Sequence, residues 1–192
     1  LHLFCPALDQ TRTKPDGTVV NGDICAIAYR LAYAPSYDGD NAPSTFALYR
    51  AIADSDTTFN TLMGPGTSDP QLALTDGFWD SANVVDPGNF LVSNIVDFKV
   101  FVYGVDNAGN EVVINDSDED GIIDSNYIFG GINDTAEDAA YAEIALTIVS
   151  DEGLELLELP SLAGTGYSSI TDIVREHGEV FIRRINFLAR PL

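Results

Sequence analysis

Residues 97–124 read DFKVFVYGVDNAGNEVVINDSDEDGIID, and this stretch decides how the rest of the chain is interpreted. Apolar side chains recur at every second residue from 98 to 102, which is the period of a β-strand. Residues 106–110 have the Asp, Asn and Gly composition of a hairpin turn, and residues 111–114 follow as a returning strand. We therefore expect an antiparallel hairpin that leads directly into residues 116–124.

Residues 116–124 have the spacing of carboxylates that a calcium loop requires. Aspartates stand at loop positions 1, 3 and 5, a glycine stands at position 6, and position 7 offers a backbone carbonyl. A fourth aspartate stands at position 9, where it binds the ion directly or through a water. The predicted ligands are the carboxylates of Asp116, Asp118, Asp120 and Asp124 and the carbonyl of Ile122. We expect Ca²⁺ rather than Mg²⁺, because Mg²⁺ dehydrates reluctantly and takes few protein ligands.

The main alternative for this stretch is a solvated acidic turn. We favour calcium because four carboxylates this close together repel each other strongly without a cation. Position 12 is Tyr127, so the bidentate glutamate of an EF-hand is missing. The stretch resembles the aspartate-rich loops of dockerins and thrombospondin type 3 repeats more than a calcium sensor. Asp134 and Glu137 are candidates for a distant ligand that completes the shell.

The composition narrows the class of protein. The chain has 192 residues, of which 45% are hydrophobic, and this is enough for one domain with a core over residues 1–192. Its net charge is -21, with 30 acidic and 9 basic residues. Such acidity argues against nucleic acid and an anionic membrane surface as partners, because binding phosphates requires a basic surface. It fits an extracytoplasmic, calcium-rich or salty setting.

Other elements follow from periodicity and turn residues. We predict further strands over residues 1–8, 23–34, 44–53, 142–149 and 179–189, with residues 23–34 and 44–53 forming an antiparallel hairpin. Phe78 and Trp79 are expected to attach the irregular residues 64–89 to the core. The predicted fold is a β-rich, mostly antiparallel α+β domain.

Helix signals occur at two places. We expect helical turns over residues 54–63, with Asp54 or Ser55 as N-cap. A helix over residues 168–177 begins at Ser168 or Ser169 and ends before Gly178. Residues 91–96 and 151–153 are predicted as turns.

The two cysteines, Cys5 and Cys25, each stand in an apolar, strand-like run. They can form a disulfide if the two strands are neighbours, and the alternative is two buried thiols. The sequence contains no CxxC motif or Cys/His cluster, which argues against a zinc site.

The sequence favours a protein that is not an enzyme. His2 and His177 are the only histidines, and residues 166–170 lack the G-x-S-x-G elbow of a serine hydrolase. We assign His177 to the end of its helix, where a cation interacts favourably with the helix dipole. No spacing singles out a pair of carboxylates for glycoside hydrolysis, so an extracellular hydrolase is the least favoured function.

Positive charge is concentrated near the C-terminus. The residues are Arg175, Arg183, Arg184 and Arg190. They form either an interface to a neighbouring acidic subunit or internal ion pairs across the final sheet, and we favour the internal pairs.

Several segments resemble, in order, the minor pilins and pseudopilins. AIAYRLAY at residues 26–33 and FALYRAI at residues 46–52 resemble the Y-R-L…L-Y-R hairpin of J-type minor pseudopilins of type II secretion and W-type minor pilins of type IV pili. Residues 91–111, 142–153 and 178–192 resemble the strands that follow in that family. The arginine-rich ending is also similar to prepilin-type cassette proteins of Gram-negative bacteria.

The resemblance implies a pilin-like head of a structural subunit near the tip of a filament, in the periplasm or at the cell surface of a Gram-negative bacterium. Its partners would be other pilin or pseudopilin subunits. The family's N-terminal helix, which anchors the subunit in the inner membrane before assembly, is absent from residues 1–192, so we expect these residues to be an excised head. The family pattern has no fixed calcium loop at residues 115–124. The alternative function is a calcium-dependent extracellular adhesion or carbohydrate-binding module.

Overall fold

The computed structural model describes residues 2–6, 11–13, 17, 19–21, 24–37, 43–62, 77–105, 108–115 and 138–186. The chain divides into two compact units, residues 1–93 and residues 94–192. Each unit contains a four-stranded antiparallel sheet together with short helices, which confirms the predicted α+β class. The single domain over residues 1–192 stays a prediction. Within the described ranges, no helix is long and apolar enough to cross a membrane.

In the described part of the first unit, the sheet order is β1-β4-β5-β6, and β2 and β3 pair separately. The strands are β1 (His2–Pro6), β2 (Thr11–Thr13), β3 (Val19–Asn21), β4 (Ile24–Pro35), β5 (Ser44–Ala53) and β6 (Phe90–Ser93). The helices are α1 (Ser55–Thr57), which a π-helical turn continues over Thr58–Leu62, and α2 (Ser81–Val84), with 3-10 turns at Gly77–Trp79 and Pro87–Asn89.

The predicted hairpin between residues 23–34 and 44–53 is confirmed as β4 and β5. The two strands pair antiparallel over ten positions, with Leu31 opposite Leu48, Arg30 opposite Tyr49 and Tyr29 opposite Arg50. The two segments at residues 26–33 and 46–52, which resemble the pilin hairpin, are therefore paired with each other in the sheet.

Small side chains on β4 and β5 determine where the core of the first unit lies. The fully buried positions on the two strands include a row of alanines: Ala26, Ala28, Ala47, Ala51 and Ala53. Because these side chains are short, Leu62, Trp79 and Val84 pack directly against the sheet in one hydrophobic cluster. The expected attachment of Trp79 to the core is confirmed.

The N-cap of α1 is one of the two predicted residues, and the helix is also bonded to the sheet. Asp54 is the N-cap, and its carboxylate accepts a hydrogen bond from the Thr57 N–H at 2.8 Å. The buried Thr58 hydroxyl accepts the Ala26 N–H of β4 at 3.0 Å and donates to the Asp54 carbonyl at 2.8 Å. A side chain therefore completes the hydrogen bonding of a buried strand.

The first strand lies beside β4, which is the arrangement that a disulfide requires. In the register of β1 and β4, Cys5 stands directly opposite Cys25, and Cys25 is buried. The disulfide itself stays a prediction.

In the described part of the second unit, the sheet order is β10-β9-β7-β8. The strands are β7 (Ile95–Val105), β8 (Glu111–Val113), β9 (Asp138–Val149) and β10 (Gly178–Asn186). The helices are α3 (Asp151–Leu157) and α4 (Ile170–His177). The predicted hairpin of β7 and β8 and the C-terminal helix with Ser169 as N-cap are confirmed.

The predicted turn over residues 91–96 is wrong. Residues 90–93 form β6 in the sheet of the first unit, and β7 of the second unit begins at Ile95. Asn94 separates them with a positive φ of 64°, a conformation that asparagine tolerates better than most residues. A short apolar run gave no indication that two strands meet there.

The predicted turn at residues 151–153 is also wrong, because these residues begin α3. The Ser150 hydroxyl is the N-cap and accepts the Gly153 N–H at 3.1 Å. Gly153 serves close packing of the helix and not a turn, since an added Cβ would lie 2.6 Å from Cβ of His177.

Candidate calcium site and its anchors

The predicted calcium ligands lie outside the described residues. They are Asp116, Asp118, Asp120, Ile122 and Asp124, and the candidates Asp134 and Glu137 lie outside as well. Four carboxylates and one carbonyl fit Ca²⁺, a hard cation that prefers oxygen ligands. In the part of the chain that the structure describes, no three His, Cys, Asp or Glu side chains are grouped so that they could hold a metal. The calcium site therefore stays a prediction, and its flanking residues show how the stretch is attached.

Asn115 fixes the start of the aspartate-rich stretch to the sheet. Its side-chain oxygen accepts the Val102 N–H at 2.8 Å, and its side-chain nitrogen donates to the Val100 carbonyl at 2.7 Å. Just before it, the Ile114 N–H donates to the Val102 carbonyl at 2.8 Å. Ile114 and Asn115 are both buried. Asn115, the residue directly before Asp116, is thus held against β7 by two hydrogen bonds of the kind that a neighbouring strand would form.

The next described segment after Asn115 begins on the same strand, farther along. β9 begins at Asp138, which stands opposite Val105 of β7, while Asn115 reaches the level of residue 101. These levels are about 13 Å apart along the strand at roughly 3.3 Å per residue. Since β8 and β9 both run antiparallel to β7 and lie on its two sides, they are parallel to each other. The aspartate-rich stretch therefore belongs to a crossover between two parallel strands.

A ladder of aromatic and charged side chains crosses all four strands of this sheet. Tyr103 of β7 and Tyr141 of β9 stack with ring centroids 4.5 Å apart. The Arg184 guanidinium of β10 lies 3.3 Å from the centroid of the Tyr141 ring. Arg184 also forms an ion pair of 3.7 Å with Glu111 of β8. We call Tyr103, Tyr141, Glu111 and Arg184 the cross-sheet ladder.

The tyrosines of the ladder act as hydrogen-bond donors. The Tyr103 hydroxyl donates to Glu143 at 3.3 Å, and the Tyr141 hydroxyl donates to Glu111 at 3.2 Å. Desolvation raises the pKa of Tyr103, and the carboxylate of Glu143 raises it further. Desolvation also raises the pKa of Tyr141, against the opposing effect of Arg184. Both phenols therefore stay protonated at neutral pH, and the ladder keeps its bonds.

His177 joins α3 and α4. Its Nε2 lies 2.8 Å from the Tyr167 hydroxyl, and its Nδ1 lies 3.5 Å from the Ser150 hydroxyl. Ser150 is also the N-cap of α3, and His177 is in the last turn of α4 as predicted. The imidazole thus links the last turn of α4 to the N-cap of α3. Its Nε2 faces the phenol hydroxyl of Tyr167 and not a carboxylate.

The C-terminal arginines divide between internal and unpaired positions. Arg184 belongs to the cross-sheet ladder, and Arg175 pairs with Asp172 at 2.9 Å. Of these two, only the pair of Arg184 is an ion pair across the final sheet, as predicted, since Arg175 and Asp172 lie three residues apart at the end and start of helix α4. Arg183 is exposed on β10 and has no carboxylate partner among the described residues, and Arg190 lies outside them.

The sequence did not reveal Asn115 as an anchor or Tyr141 as the centre of the ladder. The local signal for the buried side-chain bonds of Asn115 is a polar residue directly after the apolar Ile114. The ladder depends on a register between strands that are distant in the chain, and periodicity does not contain that information. No protein-family model, curated protein or solved structure matches this chain.

Proposed function

We propose that the chain is a structural subunit: the head of a minor pilin or pseudopilin in a type II secretion or type IV pilus-like filament, stabilised by one Ca²⁺ at residues 116–124. Its partners are other pilin or pseudopilin subunits, and its location is the periplasm or the cell surface.

One observation carries this proposal. The segments that resemble the family occur, in chain order, as β4, β5, β7, β9 and β10 of antiparallel sheets. In the hairpin of β4 and β5, Tyr29 stands directly opposite Arg50, and Arg30 stands directly opposite Tyr49. The resemblance therefore rests on paired strands and not only on similar composition.

The anchors give the calcium ion a mechanical role. Asn115, directly before the stretch, is held to β7, and the chain reaches β7 again where β9 begins at Asp138. A cation that neutralises the aspartates would remove the repulsion within residues 116–124, which follow directly after the fixed Asn115. The result is a stiffened surface on the second unit, which is what an assembling subunit requires.

The proposal gives His177 no catalytic role. Its ring nitrogens face Tyr167 and Ser150, and these contacts serve the packing of α3 against α4. Asp172, the nearest described acid with a lowered pKa, is engaged by the hydroxyls of Ser168 and Ser169 at the start of α4. The polar groups of this region thus have structural partners.

The genomic sequence upstream of the codon for Leu1 tests the proposal. We expect a prepilin cleavage site with a glycine and a Phe-Thr-Leu-Ile-Glu-like run, followed by an apolar helix long enough to span the membrane, about 20 residues. A different upstream domain without such a helix would contradict the pilin assignment. Glycan binding that disappears with a chelator would instead favour the adhesion or carbohydrate-binding module.

A further inference from the structure

The outer strand of the second sheet is unusual for the edge of a sheet. Among the described strands, β10 pairs only with β9, so no described strand pairs with the backbone groups of its other edge. Every side chain from Glu179 to Asn186 is exposed. Proteins usually keep such edges short, charged or covered, because an open edge invites another strand.

Apolar side chains make this edge attractive to a partner. Val180 is 60% exposed, Phe181 48%, Ile182 67% and Ile185 45%. An exposed row of large apolar groups on an open edge marks a surface that another strand covers. The identity of that strand follows from the charges within β10.

We infer that β10 pairs with β10 of a second copy of this chain, antiparallel and centred on Phe181, so that two four-stranded sheets join into one across a twofold axis. An isologous pairing of this kind uses the same surface on both copies. In this register Phe181 stands opposite the Phe181 of the second copy, and Val180 stands opposite Ile182.

The charges of β10 are complementary in this register. Arg183 stands opposite Glu179 of the second copy, and the symmetry makes the same pair twice. Neither side chain has an ion-pair partner among the described residues, and both are exposed. Directly opposite residues in antiparallel strands lie on the same face with Cβ atoms about 5 Å apart, so opposite charges and aromatic pairs there are favourable.

Neighbouring registers lack this complementarity. Centring the pair on Ile182 places Arg183 opposite Phe181 and removes both ion pairs. Centring it on Arg183 places the two Arg183 side chains opposite each other, which is unfavourable. Arg184 does not compete in the preferred register, because it is held by the cross-sheet ladder and stands opposite Gly178. The sequence of β10 therefore selects one register of self-pairing.

This inference does not rest on the proposed function, and analytical ultracentrifugation of the whole chain tests it. We expect a concentration-dependent dimer for the native chain. Arg183→Glu and Glu179→Arg should each weaken dimerisation by about tenfold or more, because two attractive pairs become two repulsive ones. The double variant, which exchanges the two charges, should restore the dimer. A native chain that is monomeric, or single variants that dimerise like the native chain, would overturn the inference.

Cross-linking tests the register independently of dimer strength. In the Phe181→Cys variant, the two new thiols would face each other across the axis, with Cα atoms about 5 Å apart, within reach of a disulfide. Oxidised glutathione should therefore cross-link this variant, each bond forming as two thiols give two electrons and two protons to the oxidant. In the Ile185→Cys control the two sites are roughly 27 Å apart along the strands, and we expect no cross-link. Equal cross-linking of both variants, or of neither, would overturn the register. Circular dichroism confirms that the exposed substitutions leave the fold intact.

Discussion

Asn115 takes the place of a strand residue at the edge of β7, because its side-chain amide offers the same donor and acceptor as a peptide group. Replacing it with alanine leaves the Val102 N–H and the Val100 carbonyl without these partners in a largely buried environment. An unsatisfied buried polar group costs about 1–3 kcal/mol. We therefore expect Asn115→Ala to lower the free energy of unfolding by about that amount in urea denaturation.

The matched control for Asn115 is Thr171→Ala, a substitution of an exposed polar residue on α4. It should change the free energy of unfolding by less than about 0.5 kcal/mol. If the two variants were equally stable, the anchoring role of Asn115 would be contradicted.

Asp172 gives the stability of the second unit a defined dependence on pH. Hydrogen bonds from Ser168 and Ser169 hold its pKa below the ordinary carboxyl value of 3.8, and Arg175 adds to the effect. A lowered pKa in the folded state means that the carboxylate stabilises the fold above the unfolded-state pKa. This contribution is lost as the pH falls through the lower, folded-state pKa.

The prediction concerns Asp172→Asn measured against the native chain. We expect the variant to melt at a lower temperature at neutral pH, and the difference should shrink as the pH falls below 3.8. Thermal melts of both proteins across this range measure it. A difference that stays constant with pH would show that the carboxylate charge is not responsible.

At the scale of elements, the pairing of β1 with β4 brings the two cysteines of the chain opposite each other. Cys5 and Cys25 are directly opposed in antiparallel strands, so their Cα atoms are about 4.5–5.5 Å apart, which disulfides span. We predict that a thiol–disulfide oxidant converts the pair into a disulfide, with the loss of two protons and two electrons. A cross-link that closes a loop of this length stabilises a protein by about 3 kcal/mol.

Intact mass after unfolding without reductant tests the cysteine prediction. We expect the oxidised protein to take up no alkylating reagent and to melt at a lower temperature after reduction. A variant with serine at both positions should not respond to the reductant. Alkylation of both thiols in protein that was folded under oxidising conditions would contradict the disulfide.

Elements with a clear period were predictable from the sequence, and elements that depend on a distant contact were not. The alternation in residues 23–34 and 44–53 gave β4 and β5 almost to the residue, and Ser169 with Gly178 gave the limits of α4. Gly153 was misread because its role comes from His177 of another helix. Asn94 was missed because it divides an apolar run between two sheets.

The candidate site was predictable only in part. The aspartate spacing is local, so the sequence alone can propose the ion and its ligands. The cross-sheet ladder joins residues as far apart as Tyr103 and Arg184 through the pairing of four strands. Which side chains surround a loop depends on strand order, and strand order is a property of the whole sheet.

At the scale of the molecule, the net charge of -21 means that acidic groups repel each other in the folded state, and a bound cation reduces this repulsion. A ligand that binds only the folded state stabilises it in proportion to the logarithm of its concentration, by about 2.7 kcal/mol at a hundred times its dissociation constant. Calcium should therefore raise the melting temperature and a chelator should lower it. Asp118→Ala should reproduce the effect of the chelator by removing a central ligand, while Glu155→Ala, which removes an exposed carboxylate on α3, should not.

Calorimetric titration of the chelator-treated chain with CaCl₂ measures the central claim most directly. The account predicts saturable binding of one Ca²⁺ per chain to the native protein and to Glu155→Ala, with binding lost or strongly weakened in Asp118→Ala. Absence of saturable binding to the native chain, or unchanged binding to Asp118→Ala, would contradict it.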